Sequence, residues 1–297
     1  MSFTLEDFAR IARLNPAELL ALRRITENND RMALAREIAD KCFIAPQAEP
    51  LPKFPESPEL AEAWFGAAWL SLDASREHYW RRGIPRTVWL DSMTDLRLWL
   101  QNELRNRGTI GLGPLGRPWQ AALYRGDVTR HGRLECNSEF FYRHETLRDE
   151  HGQELLAPGD AVINLHIPED GPMDFASCGA SMRRMAEFFA CWKPHYEWKG
   201  FLCESWLLDR QLHALLPARS NILKFQTLGR HYPTGEPSDA VFRIFGYAAP
   251  ESVVNPTTLQ QSAAKFLREG GKFVPEGMFI PREAVEEVDF DLAALTK

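Results

Sequence analysis

Apolar residues recur at helical spacing through the first hundred or so positions of the chain. They lie at every third or fourth position from Leu60 to Leu72, and Leu96, Leu100 and Leu104 follow at intervals of four. Such spacing places these side chains on one face of a helix, which then packs against its neighbours. The pattern predicts an all-helical N-terminal domain over residues 1–113.

The pattern changes after Gly108. Two strand-like stretches, GRLECNSEFFYRHETL and GQELLAPGDAVINLHIP, are separated by the turn signal RDEHG. Beyond them the pattern predicts a strand over 162–167, a helix over about 175–191 and a strand over 201–208. Strands that alternate with a helix in this way indicate a mixed α/β domain, which we assign to residues 114–297.

Two segments further along are ambiguous. In NILKFQTLGRHY, Leu223, Phe225 and Thr227 alternate with polar residues, which favours a strand paired with AVFRIFGY. The segment TTLQQSAAKFLREGG predicts one more helix, followed by irregular chain. The fold class that follows is α+β (mixed α/β), with a helical N-terminal domain and then a central mixed sheet flanked by helices.

Composition and charge narrow the classes of partner. The 297 residues are 44% hydrophobic and 26% charged, with a formal net charge of −6, which indicates an ordinary globular protein. Because nucleic acid is held mainly by clustered Lys and Arg, the negative charge argues against it as a partner. No uncharged run approaches the length of a membrane span, so no membrane partner is expected. A small ligand or a protein is favoured, and a homodimer remains an open alternative.

The cysteines and histidines indicate neither a disulfide framework nor a metal site. The five cysteines are odd in number and form no C-x-x-C pair, which suits reduced thiols. The eight histidines form no H-E-x-x-H motif, so no metal is expected. The first residues, MSFTLEDFAR, lack the basic and apolar segments of a signal peptide, and we expect a cytoplasmic protein.

The segment GLGPLG, from Gly111 to Gly116, matches the glycine spacing of a dinucleotide-binding loop. That loop must follow a strand and open a helix, whereas this segment follows a predicted helix. A glycine-rich connection between domains accounts for it better than a nucleotide site does.

The stretch AVINLHIPEDGPMDFASCGASMRRMAEFF passes from a strand through a loop into a helix. The start of such a helix presents backbone N–H groups and partial positive charge, which suits a phosphate. Asp174 favours the alternative of a plain connector, because its carboxylate can cap the helix itself. Cys178 near the helix start either has a thiol of lowered pKa or simply fills the core.

Polar residues interrupt two apolar strands of the second half. Asn164 and His166 lie two residues apart and therefore point to one face of their strand. His166 is either a hydrogen-bonded core residue or a proton acceptor. Glu204 in the next strand must be paired, exposed or functional, because burying a lone carboxylate is costly. Asn221 lies at a helix-to-strand corner, where capping and ligand contact are the alternatives.

The phrases INLHIPEDGPMDFASCGASMRRMAEFF and FLCESWLLDRQLHALLPARSNILKFQ resemble a family of bacterial acyltransferases. That family has a helical N-terminal domain and a GNAT-like C-terminal domain. The similarity covers most of the chain and is densest from Leu134 to Gly246. One feature departs from the wider superfamily, whose phosphate loop carries Gln or Arg and closely spaced small residues. This loop has Gly171 and Gly179, which are too far apart to fit that spacing.

The resemblance implies the fold of the Gcn5-related N-acetyltransferases, in which two central strands splay apart. An acyl-CoA lies in the gap, with its pantetheine beside the first strand and its pyrophosphate at the loop and helix start that follow, here Pro168 to Ser181. The residues expected to contact acetyl-CoA or another acyl-CoA are Leu165, Ile167, Gly171, Ser177, Cys178, Ser181 and Asn221.

The implied reaction transfers an acyl group from CoA to an amine of a small molecule or peptide. His166 or Glu204 would take the amine proton, and backbone N–H groups of the first strand would hold the thioester oxygen. Tyr232 and Tyr247 are the candidate proton donors to the departing thiolate, because both lie near the expected last hairpin. The alternative is a non-catalytic module that keeps the fold but has lost acyl-CoA binding. Such a module would use the cleft for another ligand, or the helical half, with its tryptophans if exposed, for a protein partner.

Overall fold

The protein is described here by a computed structural model that covers residues 3–44, 51–287 and 290, apart from the side chains of Pro58 and Glu287. Its contacts divide the chain into two compact units. The first runs through His131 and also includes Pro168–Asp170, and the second comprises the remaining residues. This division falls after the boundary at residue 113 that the sequence pattern predicts.

Helices build the first unit. Their bounds are α1 (Leu5–Ile11), α2 (Pro16–Thr26), α3 (Asn29–Ile38), α4 (Pro58–Leu70), α5 (Leu72–Arg81), α6 (Arg86–Ser92), α7 (Leu96–Arg107) and α8 (Gly116–Arg125). A π-helical turn (Ala39–Ile44) continues α3, a 3-10 turn (Met93–Asp95) precedes α7, and a short strand, β1 (Thr129–His131), follows α8. The helical character predicted from the apolar spacing is confirmed.

Local sequence sets where the first helices begin. The Thr4 hydroxyl accepts a hydrogen bond from the backbone N–H of Asp7, whose carboxylate accepts one from the backbone N–H of Thr4. Asn15 and Glu18 form the same reciprocal pair directly before and inside α2, which starts at Pro16. These pairs satisfy backbone donors that the first helical turn cannot bond within the helix.

Five of the six helical tryptophans of the first unit are buried or partly buried. Trp64 and Trp89 are each 2% exposed, and the Trp64 ring meets the Phe43 ring edge-on at 5.6 Å between centroids. Trp80 is 72% exposed. The tryptophans therefore serve the core of the helical unit and do not form one continuous exposed patch.

The glycine-rich segment lies inside the first unit and makes close backbone contacts there. The backbone N–H of Leu112 donates to the carbonyl of Ala61 in α4 at 2.8 Å. A Cβ on Gly111 would lie 2.6 Å from the backbone of the same Ala61, so only glycine fits. The missing side chain at Gly111 thus lets this segment pack directly against the backbone of α4.

The second unit mixes strands and helices. Its strands are β2 (Leu134–Phe140), β3 (Leu147–Arg148), β4 (Glu154–Leu156), β5 (Ala161–His166), β6 (Gly200–Ser205), β7 (Arg230–Pro233) and β8 (Glu276–Pro281). Its helices are α9 (Phe175–Trp192), α10 (Leu212–Leu215), α11 (Asn221–Gln226), α12 (Ala240–Phe245), α13 (Thr258–Arg268) and α14 (Arg282–Glu287). Two 3-10 turns, Trp206–Leu208 and Pro250–Ser252, complete it.

A mixed sheet forms the centre of this unit, with the strands in the order β2-β5-β6-β8-β7. β5 and β6 run parallel, and the other neighbours are antiparallel. The short strands β3 and β4 form a separate hairpin around the predicted turn, closed by a bond from Asp149 N to Gln153 O of 3.0 Å. The mixed sheet flanked by helices is confirmed.

One face of the sheet is apolar. Cys136 of β2 pairs with Leu165 of β5, which in turn pairs with Cys203 of β6, so the three side chains point to the same side. The long helix α9 is tied to the start of β2, because the Ser181 hydroxyl accepts a hydrogen bond from the backbone N–H of Arg133 at 2.9 Å. We call this side the apolar face.

The opposite face carries polar side chains at its centre, and we call it the polar face. Asn137 of β2 pairs with Asn164 of β5, which pairs with Leu202 of β6. His166 and Glu204 each lie two residues further along their strands and therefore share this face.

The two segments predicted as a last strand pair are helices. Residues 221–226 form α11, which Ser220 caps by accepting a hydrogen bond from Ile222 N at 3.3 Å. Residues 240–245 form α12, in which Ala240, Ile244 and Phe245 are buried at helical spacing. Each helix is only six residues long, too short for a helical period to stand out from alternation.

β8 is a strand where the sequence pattern predicted irregular chain. It pairs with β6 on one side and β7 on the other, and Gly277 through Ile280 are buried. A strand covered on both faces shows no alternation of apolar and polar residues, so its short apolar run carries little periodic signal. Tyr232 of β7 therefore pairs with β8, and Tyr247 lies outside any strand.

Candidate active site

The two central strands separate at their carboxyl ends. Parallel pairing between β5 and β6 ends at Leu165 and Cys203. β6 continues through Glu204 and Ser205 paired with β8, and β5 continues to His166 paired with β2. Because each strand stays with its outer neighbour after leaving the other, a gap opens between them. His166 and Glu204 are the first residues beyond the last shared pair.

Asn137 orients the His166 ring. His166 Nε2 lies 2.7 Å from Asn137 Oδ1. The Asn137 amide nitrogen faces the carbonyl of Ser138 and the carboxylate of Glu139, each at 3.3 Å, which directs Oδ1 toward the ring. Nε2 therefore donates, and the neutral ring carries its basic lone pair on Nδ1.

Burial keeps the His166 ring neutral. Desolvation disfavours the imidazolium and lowers the pKa of His166 to about 4. At neutral pH the ring is ready to accept a proton, but it is a weak base. A proton placed on it is correspondingly easy to pass on.

Three donors surround the Glu204 carboxylate. Oε1 accepts from the Arg143 guanidinium at 2.7 Å and from the Tyr232 hydroxyl at 2.9 Å. Oε2 accepts from the Tyr142 hydroxyl at 2.9 Å. Burial, together with the neighbouring Glu204 charge, raises the pKa of Tyr232 far above its ordinary value. The predicted residues Glu204 and Tyr232 are thus in direct contact.

Gly277 makes this contact between strands possible. In β8 it pairs with Glu204 on one side and with Tyr232 on the other. A Cβ at this position would overlap the Tyr232 ring. The tyrosine can therefore lie across β8 and reach the carboxylate only because residue 277 has no side chain.

Arg143 and Tyr142 are the site residues that sequence reasoning missed. The Arg143 guanidinium donates to the Thr234 carbonyl at 2.5 Å, and its central carbon lies 5.0 Å from the centre of the Tyr142 ring. Arg143 and Glu204 are 61 residues apart along the chain. No periodic pattern marks this segment between β2 and β3, so only the fold brings it to the site.

Asp174 caps the helix start that was predicted to meet phosphate. Its carboxylate accepts the backbone N–H of Ser177 at 2.8 Å, and hydrogen bonds from the Ser177 side chain and backbone lower the pKa of Asp174. A fixed negative charge therefore stands at the start of α9. The positive charge beside the loop comes from Arg133, whose guanidinium donates to the carbonyls of Pro172 at 3.2 Å and Gly171 at 3.3 Å.

Other predicted carrier contacts lie deeper in the second unit. Cys178, Ser181 and Leu165 are at most 1% exposed. Burial raises the pKa of the Cys178 thiol to about 12, which favours the core-filling alternative over a thiol of lowered pKa. The Ser181 hydroxyl donates to the Ser177 carbonyl at 2.9 Å in addition to joining α9 to β2. Ser177 itself is exposed.

Two predicted residues lie on other elements. Asn221 begins α11. Tyr247 follows α12, is 57% exposed, and its ring lies 5.2 Å from that of Phe242. Of the four predicted catalytic residues, Glu204 and Tyr232 are joined by a hydrogen bond.

Within the described ranges, no group of three or more His, Cys, Asp or Glu side chains is placed to hold a metal ion. No helix in the same part of the chain is both long enough and apolar enough to cross a membrane.

Comparison with protein families covers nearly the whole chain. The N-acyltransferase N-terminal domain matches residues 4–126, and the GNAT-like C-terminal domain matches residues 128–279. The chain belongs to this N-acyltransferase family. Along the sequence, the junction of the two family domains at residue 127 lies a few residues before the end of the first unit's main segment at His131. None of the curated proteins matches the chain significantly.

Solved structures share the N-acyltransferase fold. An acyltransferase in complex with decanoyl-CoA is 22% identical to this chain in sequence, and the two structures superpose with a TM-score of 0.71. The alignment covers 93% of this chain and 87% of that chain. An acyltransferase mutant in complex with octanoyl-CoA gives 20% identity, the same TM-score and the same coverage. An acyltransferase in complex with CoA and 10C-teicoplanin gives 20% identity and a TM-score of 0.66, also over 93% and 87%.

Proposed function

We propose that this N-acyltransferase family member transfers an acyl group from acyl-CoA to an amine of a small molecule or peptide. The observation that carries the proposal is the separation of β5 and β6 beyond Leu165 and Cys203, with His166 and Glu204 at its edge. Similar folds hold octanoyl-CoA, decanoyl-CoA and CoA, which supports a thioester carrier with a medium-length acyl chain over acetyl-CoA.

The carrier would enter the gap with its pantetheine along β5, near Leu165 and Ile167. Its phosphates would lie near Gly171 and Ser177. The Asp174 carboxylate disfavours a phosphate directly on the helix axis, because like charges repel. The Arg133 guanidinium beside the same loop offsets that charge and provides the planar donors that bind phosphate well.

His166 is the proposed base. An ordinary alkyl ammonium has a pKa of about 10.4, so moving its proton to a base of pKa about 4 would cost roughly 9 kcal/mol. Direct deprotonation of the bound ammonium by His166 is therefore strongly unfavourable. The acceptor must therefore lose one proton to solvent and attack the thioester carbon as the neutral amine. His166 Nδ1 then takes the second proton from the more acidic nitrogen of the tetrahedral adduct.

The same imidazolium can protonate the leaving group. When the carbon–sulfur bond breaks, the electron pair stays on sulfur, and the CoA thiolate needs a proton. A thiol has an ordinary pKa of about 8.5, so transfer from His166 is favourable by roughly 6 kcal/mol. One residue would thus carry a proton from nitrogen to sulfur. The products are the amide and the free thiol of CoA.

Glu204 acts by position in this scheme. Both oxygens of the Glu204 carboxylate already accept hydrogen bonds, one of them from a guanidinium. The hydroxyl protons of Tyr232 and Tyr142 are directed at the same carboxylate. In this scheme His166 carries the proton, and Glu204 lines the side of the site that faces the acceptor. Tyr247, with its exposed ring beyond α12, has no step in this scheme.

Calorimetric titration with CoA, acetyl-CoA and decanoyl-CoA tests the carrier site. We expect saturable binding, with decanoyl-CoA tighter than acetyl-CoA because the apolar chain adds buried surface. Gly171→Val should weaken binding, since position 171 has a φ of +114° that a branched residue rarely adopts.

Gly159→Val is the matched control. Gly159 also has a positive φ, of +89°, and open space around it, but it lies in the turn before β5. The Gly159→Val variant should therefore bind CoA as tightly as the wild type does. Absence of binding to all three ligands by the wild type would overturn the proposal in favour of a non-catalytic module with the same fold.

A further inference from the structure

The two oxygens of the Glu204 carboxylate have unequal surroundings. Oε1 is held by two groups inside the unit, Arg143 and Tyr232. Oε2 accepts from Tyr142, whose side chain is 59% exposed. The bond at Oε2 is therefore the one that an incoming donor can replace without disturbing the interior.

One of the three guanidinium nitrogens of Arg143 has no acceptor in the site. Its two terminal nitrogens bond the Thr234 carbonyl and Glu204, whereas Nε is buried without an acceptor among the residues that the structure describes. A buried donor without an acceptor is uncommon and destabilising. The exposed Tyr142 ring lies against this guanidinium, 5.0 Å from its central carbon.

We propose that Tyr142 covers a recognition site for the acceptor, in which Glu204 Oε2 binds the acceptor's ammonium group and Arg143 Nε donates to an oxygen beside it. Displacement of Tyr142 would free Oε2 and uncover the face of the Arg143 guanidinium against which its ring lies. This inference rests on the proposed function, since it assigns the acceptor half of the same site.

Glu204 Oε2 and Arg143 Nε together select the chemical class of the acceptor. Arg143 and Glu204 are hydrogen-bonded to each other, so these two atoms lie in adjacent side chains. A ligand that contacts both of them needs an ammonium donor and an oxygen acceptor only a few bonds apart. An α-amino carbonyl group, as at the amino end of a peptide, meets that requirement. A simple alkyl amine satisfies the carboxylate alone.

Ligand-observed NMR titrations with phenylalaninamide and phenethylamine test the pair directly, without turnover. At about pH 6 both amines are protonated, because an α-amino group has a pKa of about 7.7–8.0. We expect phenylalaninamide to bind about fivefold more tightly, since only it offers a carbonyl to Arg143. No binding of phenylalaninamide, or equal affinities for the two, would overturn the proposal.

Two variants separate the parts of the site. Glu204→Gln should weaken phenylalaninamide binding about tenfold or more, because the charged acceptor is lost. Tyr142→Phe should tighten it about two- to fivefold, because the hydroxyl no longer competes for Oε2. Tyr142 is exposed, so this variant tests the idea even if Glu204→Gln folds poorly. Unchanged affinity in Glu204→Gln, or weaker affinity in Tyr142→Phe, contradicts the assignment.

Glu251→Gln, an exposed substitution in a turn away from the sheet, controls for the loss of a carboxylate and should change nothing. Titration of the same samples with decanoyl-CoA keeps the two proposals apart. Loss of acceptor binding with carrier binding intact rejects only this site, whereas absent carrier binding rejects the proposed function.

Discussion

The two faces of one sheet in the second unit behave very differently. On the apolar face, Cys203 is 1% exposed, and burial raises the pKa of its thiol to about 12, which keeps it protonated and unreactive. On the polar face, one residue further along the same strand, Glu204 accepts three hydrogen bonds from side chains. Two neighbouring residues of one strand therefore have different roles: Cys203 packs in the core, and Glu204 takes part in the polar site.

The difference comes from what covers each face. The apolar face lies under a long helix whose buried side chains include Cys178, Met182 and Met185. The polar face has its own smaller apolar cluster, which includes Phe141, Val162 and Leu202. Only near the point where β5 and β6 part do its side chains, such as Glu204, take hydrogen-bond partners from neighbouring loops and strands. Substitutions on the polar face should therefore affect turnover, stability or both, whereas a substitution on the apolar face should affect stability alone.

The largest expected effect is on turnover from the polar face. His166→Gln keeps a donor for Asn137 but removes the titratable nitrogen, so we expect CoA release from decanoyl-CoA and an amine to fall by about 10²–10⁴-fold. His151→Gln, at an exposed turn position, is the control and should leave the rate unchanged. An unaltered rate in His166→Gln would remove the proposed base.

The next effect is a pH dependence of stability from the same histidine. Its folded pKa of about 4 lies below the ordinary value of 6.5, so the unfolded chain binds the proton more readily. The free energy of unfolding should therefore fall as the pH drops from 6.5 to about 4, by roughly 3 kcal/mol, and should not change through His166 above 6.5.

Denaturant unfolding of wild type and His166→Gln across this pH range isolates that contribution, because other titrating groups are common to both. The difference between the two proteins should vary with pH only in the acidic window. A constant difference would show that the ring is not held neutral by burial.

A third prediction concerns the glycine that links the polar-face residues. Gly277→Ala should lower the free energy of unfolding by about 1–3 kcal/mol, because the new methyl group overlaps the Tyr232 ring. In a Tyr232→Ala background the same substitution should be much less destabilising. Equal effects in both backgrounds, measured by urea unfolding, would show that the ring does not lie over Gly277.

The smallest effect is expected on the apolar face. Cys203→Ala removes a buried sulfur and should lower stability by about 1 kcal/mol, with turnover within about twofold of wild type. Cys191→Ala, at an exposed position, should change neither. A large loss of turnover without loss of stability in Cys203→Ala would mean that the apolar face takes part in the chemistry.

Sequence reasoning succeeded where a segment was long or strongly patterned. The strand at 161–166 and the helix at 175–192 lie within two residues of their predicted bounds, because each shows its own period of apolar residues. It failed at α11 and α12, where six residues do not complete two helical turns, and at β8, which is buried on both faces.

The candidate site divides in the same way. His166 and Glu204 are visible in the sequence because a polar residue interrupts an apolar strand. Arg143 and Tyr142 are not, since they lie in a segment between strands and reach Glu204 across 61 and 62 residues. Contacts of such separation follow from the order of the strands, which local propensity does not encode.

The sequence by itself determined the two-part organisation, the helical character of the first part and the positions of the polar strand residues, because these depend on local periodicity. The tertiary structure decided that the His166 ring is neutral, that Glu204 accepts three hydrogen bonds and that the Cys178 thiol stays protonated. Those properties depend on burial and on partners supplied by distant segments, and only the folded chain brings these together.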